Sequence, residues 1–271
     1  MPVHLQRWLT AVIALPVLFL IIWKGGRAVF CAAVLLVNGL GQWEFLRMFQ
    51  ADGDAARRIK AVLLGSLVLL SYYPVTTSGF LPLLALAVGL FSFFAFYLMS
   101  YGLIEDLSRD LAVNALGLLY LPFLLGHLVW LRNLPDGQWW VLWLLLVMFA
   151  GDTCAFYVGR TFGRKKLFPE VSPGKTWAGT LGGWAASILA AVLLGSWLLP
   201  LFPLAGLAGL GAFLGLVGIL GDLFESMLKR QAQVKDAGQL LPGHGGMLDR
   251  LDSILFAAPV VVYARLLFFK M

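Results

Sequence analysis

Long apolar runs recur along almost the whole chain, and they limit what it can fold into more than any other feature. Runs with few charges lie near residues 8–23, 28–48, 60–74, 80–100, 111–131, 139–158, 177–200, 203–225 and 252–269. Each approaches the roughly 20 residues that a helix needs to cross a bilayer. Apolar residues make up 61% of the 271, and charged ones only 13%. A soluble domain carries about 25% charged residues, and one of this length could not hide so much apolar surface. This excludes secreted, fibrous and disordered classes. It predicts an all-α polytopic integral membrane protein with about nine transmembrane helices. The first run resembles a signal-peptide core behind Arg7, but no small-residue cleavage site follows Trp23. It reads as a retained helix, kinked at Pro16. Trp8, Trp23, Tyr72, Tyr73, Trp139 and Trp140 are expected at membrane interfaces. Cys31 and Cys154 sit in apolar runs, so no disulfide framework is expected.

Nine spans put the termini on opposite sides. With the N-terminus in the cytoplasm, fifteen Lys and Arg fall inside, and Lys24, Arg27, Arg132 and Lys270 outside. Arg265 lies within the last run. That is the positive-inside pattern, which orients the chain; the expected location is a bacterial inner membrane with the site facing the cytoplasm. The expected division is an N-terminal set of helices over 1–110 and a catalytic region over 111–271. The latter carries cytoplasmic loops at 159–176 and 226–251, within one integrated membrane domain.

Charge is concentrated in two segments. Residues 152–176 hold seven charges and 222–252 hold nine, so 16 of 34 charges lie in 56 residues. Spanning alone does not require this. Gly211, Gly215, Gly218 and Asp222 share one helical face. The glycines admit a close neighbouring backbone, and an acid at such a helix end is a functional candidate. Simple glycine packing with Asp222 at the water interface is the alternative. Asp249 and Asp252 are spaced i, i+3 and would share a face if a helix began at 249; capping is the plainer reading. With Asp222 they offer hard oxygen ligands of the kind that suit Mg²⁺ beside phosphate, and no zinc spacing is present. Ser226, Lys229, Arg230, Lys235 and Arg250 alternate with these acids, and phosphate oxygens need such partners. His244 sits in the glycine-rich turn Pro242-Gly243-His244-Gly245-Gly246.

Upstream, Ser172-Pro173-Gly174-Lys175-Thr176 precedes a helix. It is not a Walker A motif, because residue 169 is Pro and no strand is predicted before it. Lys175 and Thr176 can still hold an anion at a helix N-terminus. Asp152, deep in an apolar run, requires a partner such as Arg160 or a bound cation. Asp52-Gly53-Asp54-Ala55-Ala56-Arg57 matches the opening of the CDP-alcohol phosphatidyltransferase motif. However, Ser66 stands where that motif needs Gly, and no acid follows until Glu105. Residues 49–58 therefore read as an ordinary polar loop.

Ser226 through Lys229-Arg230, Lys235-Asp236, His244-Gly245-Gly246 and Asp249-Arg250-Leu251-Asp252 together resemble the signature of phosphatidate cytidylyltransferases, the CDP-diacylglycerol synthases. Gly221-Asp222, Gly151-Asp152-Thr153 and Ser172 to Thr176 are similar to that family too. Thr10-Ala11 and Trp43-Glu44 are so more weakly. One departure is visible: many members carry Glu two residues after the Lys-Thr pair, and here that residue is Ala178. The resemblance implies a Mg²⁺ requirement with one or two cations, a homodimer, and CTP and phosphatidic acid as substrates taken from the cytoplasm and the lipid bilayer. The products are CDP-diacylglycerol and pyrophosphate. No nucleic-acid partner is expected. Asp222 and Asp249 are expected as metal ligands, with Asp252 and Asp152 in support. Lys175, Thr176, Ser172, Ser226, Lys229, Arg230, Lys235, His244 and Arg250 are expected around the phosphates. A transporter or flippase for an anionic lipid or solute is the rival class, and another phospholipid head-group transferase is a second alternative. The sequence shows no convincing inverted repeat to support transport.

Overall fold

The computed structural model describes residues 12, 15–50, 55–74, 79–238 and 245–269. Arg7, Trp8, Thr10, Ala11, the Asp52–Asp54 stretch, His244 and Lys270, all singled out above, lie outside the described residues. The described chain is overwhelmingly helical. Helical residues 15–23 (α1) are followed by α2 (Gly26–Phe49), α3 (Ala55–Leu70), α4 (Phe80–Met99), α5 (Leu107–Leu118) and α6 (Leu124–Asn133). Then come α7 (Gly137–Phe162), a hairpin of β1 (Lys166–Phe168) and β2 (Ser172–Thr176), α8 (Trp177–Leu198), α9 (Leu204–Gln231) and α10 (Asp252–Leu267).

Six helices among the described residues are long and apolar enough to cross a membrane, counting Leu107–Asn133 as one. An all-α membrane protein is therefore what this sequence folds into. Several expected boundaries change. Residues 55–58 are already helical rather than loop, and α3 ends at Leu70. The run expected at 111–131 is a longer helix with a π-helical turn at Leu119–Phe123 around Pro122. Proline donates no backbone N–H, and the wider turn accommodates the defect without breaking the helix. Helices α7 and α9 continue to Phe162 and Gln231, which shortens both expected loops.

The chain forms two compact units: residues 1–134 with 236–250, and residues 135–235 with 251–271. In the first, Phe45, Leu46, Leu69, Tyr72, Leu118, Leu121 and Trp130 form a buried core. Tyr72 was expected at an interface, but it is fully buried and donates its hydroxyl to Phe123 O at 2.9 Å. A Cβ at Gly126 would strike the Tyr72 ring, so the glycine is what admits it. Polar groups here are tied to one another. Asp110 accepts from Arg57 at 2.6 Å, Tyr97 at 2.7 Å and Gln50 at 2.9 Å.

In the second unit the core includes Trp140, Trp143, Leu144, Val147, Leu207, Leu214, Leu255 and Val261. Trp140, also expected at an interface, is buried against Trp143, Phe202 and Phe269. Large amphipathic rings suit interfaces, but here neighbouring rings supply their own apolar surroundings. Arg265 shows how a charge is tolerated in α10. Its guanidinium lies 5.5 Å from the Trp140 ring centroid and 5.1 Å from that of Phe202, and it donates to Phe269 O.

Glycines bring α7, α8 and α9 together. A Cβ on Gly183 would sit 2.8 Å from both Ala155 Cβ and Gly151 O, and one on Gly179 would sit 2.6 Å from Ala155 O. On α9, Gly211 faces Ala191, Gly215 faces Trp184 and Ser187, and Gly218 faces Met148. The shared glycine face read from the sequence is thus a packing face, as small residues in membrane helices allow.

Candidate active site

The hairpin and the start of α8 set the site's frame. Lys166 pairs with Thr176, and Phe168 with Ser172, in antiparallel register. No strand is expected from the sequence before Ser172, but β1 pairs with β2 across the three-residue turn 169–171, and an edge strand tolerates proline because it need not donate there. Thr176 N-caps α8: its Oγ1 accepts from Gly179 N at 3.2 Å. This fixes Lys175 one residue before a helix N-terminus.

Within the second unit a cavity of about 670 Å³ opens between α7, the hairpin, α8 and α9. Asp152, Ser172, Lys175, Thr176 and Asp222 all line it. So do Arg160 and Lys166, which the sequence reading had not placed among the binding residues. Their position in the first charged segment, and the expected pairing of Arg160 with Asp152, were the available signals. Lys175 Nζ lies 2.5 Å from Asp222 Oδ2, with side chains 21% and 35% exposed. Asp252 lies close enough for Asp222, Asp152 and Lys175 to act on it electrostatically. Its Oδ1 accepts from Ser253 N at 2.7 Å, and Ser253 Oγ donates to Asp152 at 3.4 Å. Ser226 Oγ stands 3.5 Å from Asp222 Oδ1.

Asp222 and Asp152, on α9 and α7, therefore act on Asp252 of α10, and Lys175 acts on Asp222 and Asp252. Among the described residues, no three His, Cys, Asp or Glu stand close enough to share an ion. The donor type nonetheless fits a hard divalent cation, because the oxygens are carboxylate, with Arg160, Lys166 and Lys175 in the same lining.

Other expected residues have different partners. Lys229 Nζ pairs with Glu225 at 3.1 Å, and the Glu225 side chain is only 1% exposed. Arg230 Nε donates to Val171 O at 3.3 Å, which ties α9 to the turn of the hairpin. Lys235 closes the second unit's run after α9.

Asp249 and Arg250 belong to the first unit, in a 3₁₀ turn over Leu248–Arg250. The helix starts at Asp252, so Asp249 and Asp252 do not share a helical face as the i, i+3 spacing suggested. The reason is local. Asp249 Oδ2 accepts from Gly246 N at 2.8 Å and Ala237 N at 3.0 Å, which folds the segment back on itself instead of starting a helix. Gly245, at φ +82°, supplies the left-handed turn this needs.

Glu44 had been noted only weakly. It is buried in α2, 8% exposed, and Oε2 accepts from Leu248 N at 2.9 Å. A Cβ on Gly238 or Gly246 would collide with its carboxylate. The glycines of the 236–250 segment thus make room for an acid two hundred residues earlier.

Comparisons with known proteins agree on one family. A model described as the cytidylyltransferase family matches residues 5–268. A phosphatidate cytidylyltransferase of Synechocystis sp. is 38% identical, with 95% of each chain covered. That of Pseudomonas aeruginosa is 36% identical over 94% of each. That of Bacillus subtilis is 32% identical over 97% of this chain and 98% of the relative.

Proposed function

The chain belongs to the cytidylyltransferase family, and from that premise we propose that it transfers the cytidylyl group of CTP to phosphatidic acid for phospholipid biosynthesis. A phosphate oxygen of phosphatidate attacks the α-phosphorus of CTP. The bond from that phosphorus to the bridging oxygen breaks, so CDP-diacylglycerol and pyrophosphate form. The observation that carries this reading is the cavity of the second unit, where Lys175 at a helix N-terminus meets Asp222, with Arg160 and Lys166 in the same lining.

Phosphatidate brings its own nucleophile, so the chain needs no Ser/His pair. The work left to the protein is positioning and charge stabilisation. Lys175 turns from Asp222 to the triphosphate, and Arg160 and Lys166 neutralise charge building on the departing pyrophosphate. Thr176 keeps α8 capped and Lys175 in place. Ser172 and Ser226 lie beside these charges as hydroxyl donors. Mg²⁺ would be held at Asp222, with Asp252 and Asp152 in support and Asp249 as a further ligand carried by the motif. The ion would offset negative charge on the phosphates. Lys229, Arg230, Lys235, His244 and Arg250 are proposed to serve the phosphates from their own segments.

The finer topology belongs to the same proposal: nine spans, the N-terminus and the site facing the cytoplasm, a bacterial inner membrane and a homodimer. The positive-inside pattern and the route of CTP support it. Purified protein given labelled CTP, Mg²⁺ and phosphatidate should yield CDP-diacylglycerol and pyrophosphate in equal amounts. Lipid translocation without CTP consumption would overturn the reading.

A further inference from the structure

The first unit contains a second cavity, about 320 Å³, between α3, α4 and α5. Its walls are Leu63, Leu64, Phe93 and Phe96, and Arg57 and Lys60 stand at one end. We propose that this groove binds a phospholipid with a singly charged phosphodiester head, as a resident ligand that the cytidylyl transfer does not consume.

The division into a charged end and an apolar trough is what a lipid requires. Arg57 and Lys60 occupy the first two turns of α3, and Leu63 and Leu64 follow along the same helix, about 1.5 Å of rise per residue away. The outer faces of both helices are apolar: Leu63, Leu67, Phe94 and Leu98 are all exposed. A chain lying in the groove would therefore continue a surface already suited to acyl chains. The positive end of the α3 dipole adds to the attraction for a phosphate.

The net charge of the groove selects the head group. Arg57 pairs with Asp110 at 2.6 Å, so its charge is matched within the protein. Tyr97 and Gln50 complete the Asp110 shell, and Asn114 donates to the Tyr97 hydroxyl at 2.8 Å. Lys60 has no carboxylate within ion-pair distance among the described residues, and its ammonium lies 4.8 Å from the Phe96 ring centroid. Among the described residues the groove thus carries one positive charge without a carboxylate partner, that of Lys60. A phosphodiester brings one negative charge, whereas a phosphomonoester near neutral pH brings about 1.5 to 2. A zwitterionic head offers no net attraction.

The test uses full-length protein in mild detergent with a phosphatidylglycerol probe carrying a photoactivatable acyl chain. Label should concentrate on peptides covering residues 57–64 and 92–97, and unlabelled phosphatidylglycerol should displace it about fivefold better than phosphatidylcholine does, as the loss of one ion pair implies. Lys60→Glu and the groove-filling Leu64→Trp should each cut this labelling by a similar factor. Lys60→Gln serves as the milder variant if either melts early. Uniform label over the apolar surface, or labelling unchanged in well-folded Lys60→Glu, would overturn the proposal. So would better competition by phosphatidate, which would make the groove a substrate passage.

Discussion

The two units hold particular acids differently. The first encloses two of them: Asp110 is surrounded by Arg57, Tyr97 and Gln50, and Glu44 is closed over by Leu248 N and two glycines. The second also buries Arg265 and Glu225, the partner of Lys229, but leaves Lys175 and Asp222 partly exposed in the lining of a cavity. Its helices α7, α8 and α9 meet at glycines, with the Trp143 and Trp184 indoles each donating to a neighbouring helix's backbone. A paired, enclosed charge fixes shape, while a paired charge at a cavity wall is available to exchange partners. The contrast supports the proposal that the chemistry takes place at the cavity of the second unit.

Substitutions can break that contrast. The largest effect is expected for Asp222→Asn, which should lower CDP-diacylglycerol formation about a hundredfold or more, as the loss of a central electrostatic group does. Its thermal melt should stay within a few degrees of the parent. Normal turnover in a purified, folded variant would remove Asp222 from the reaction. Gly183→Val should cost about 1–3 kcal/mol by forcing α7 and α8 apart, read as an earlier melt together with lost activity. A parent-like melt would show that the close approach is not needed.

Glu44→Ala tests whether the sealed acid of the first unit matters for activity. Leaving Leu248 N without its acceptor should cost about 1–3 kcal/mol and depress turnover roughly tenfold. Glu44→Gln, which keeps an acceptor oxygen, should restore most of the loss. Equal defects in both would mean that the charge, not the hydrogen bond, is what the segment requires. Gly209→Ala is the smallest change. Nothing lies within 4 Å of an added Cβ there, so this helix-interior glycine should gain about 0.4–1 kcal/mol with unchanged turnover.

Patterns of short range were readable in the sequence. Apolar runs located the helices, the 211/215/218 spacing gave a packing face, and Lys175-Thr176 stood before a helix, where the structure has them. What depended on distant partners was not readable. The hairpin exists because Lys166 faces Thr176, although no strand is expected from the sequence before Ser172. The 3₁₀ turn at Leu248–Arg250 follows from Asp249 gripping Ala237 N and Gly246 N, which overrides the helical spacing of the two acids. Tyr72 and Trp140 were misplaced because their ring chemistry suits an interface as well as a core, and only their neighbours decide. Glu44 had no local pattern at all, since its partners lie at the other end of the chain.

If the proposed site roles hold, the contact between Lys175 and Asp222 also ties two ligands together. While the pair is closed, each group satisfies the other. A phosphate that captures Lys175 strands a carboxylate, which then attracts a cation more strongly. A cation that captures Asp222 frees a lysine, which then attracts a phosphate. One ion pair is surrendered once and shared by two newcomers, so each tightens the other's hold by the same factor. A site wired this way answers to nucleotide and metal arriving together and discounts either one alone.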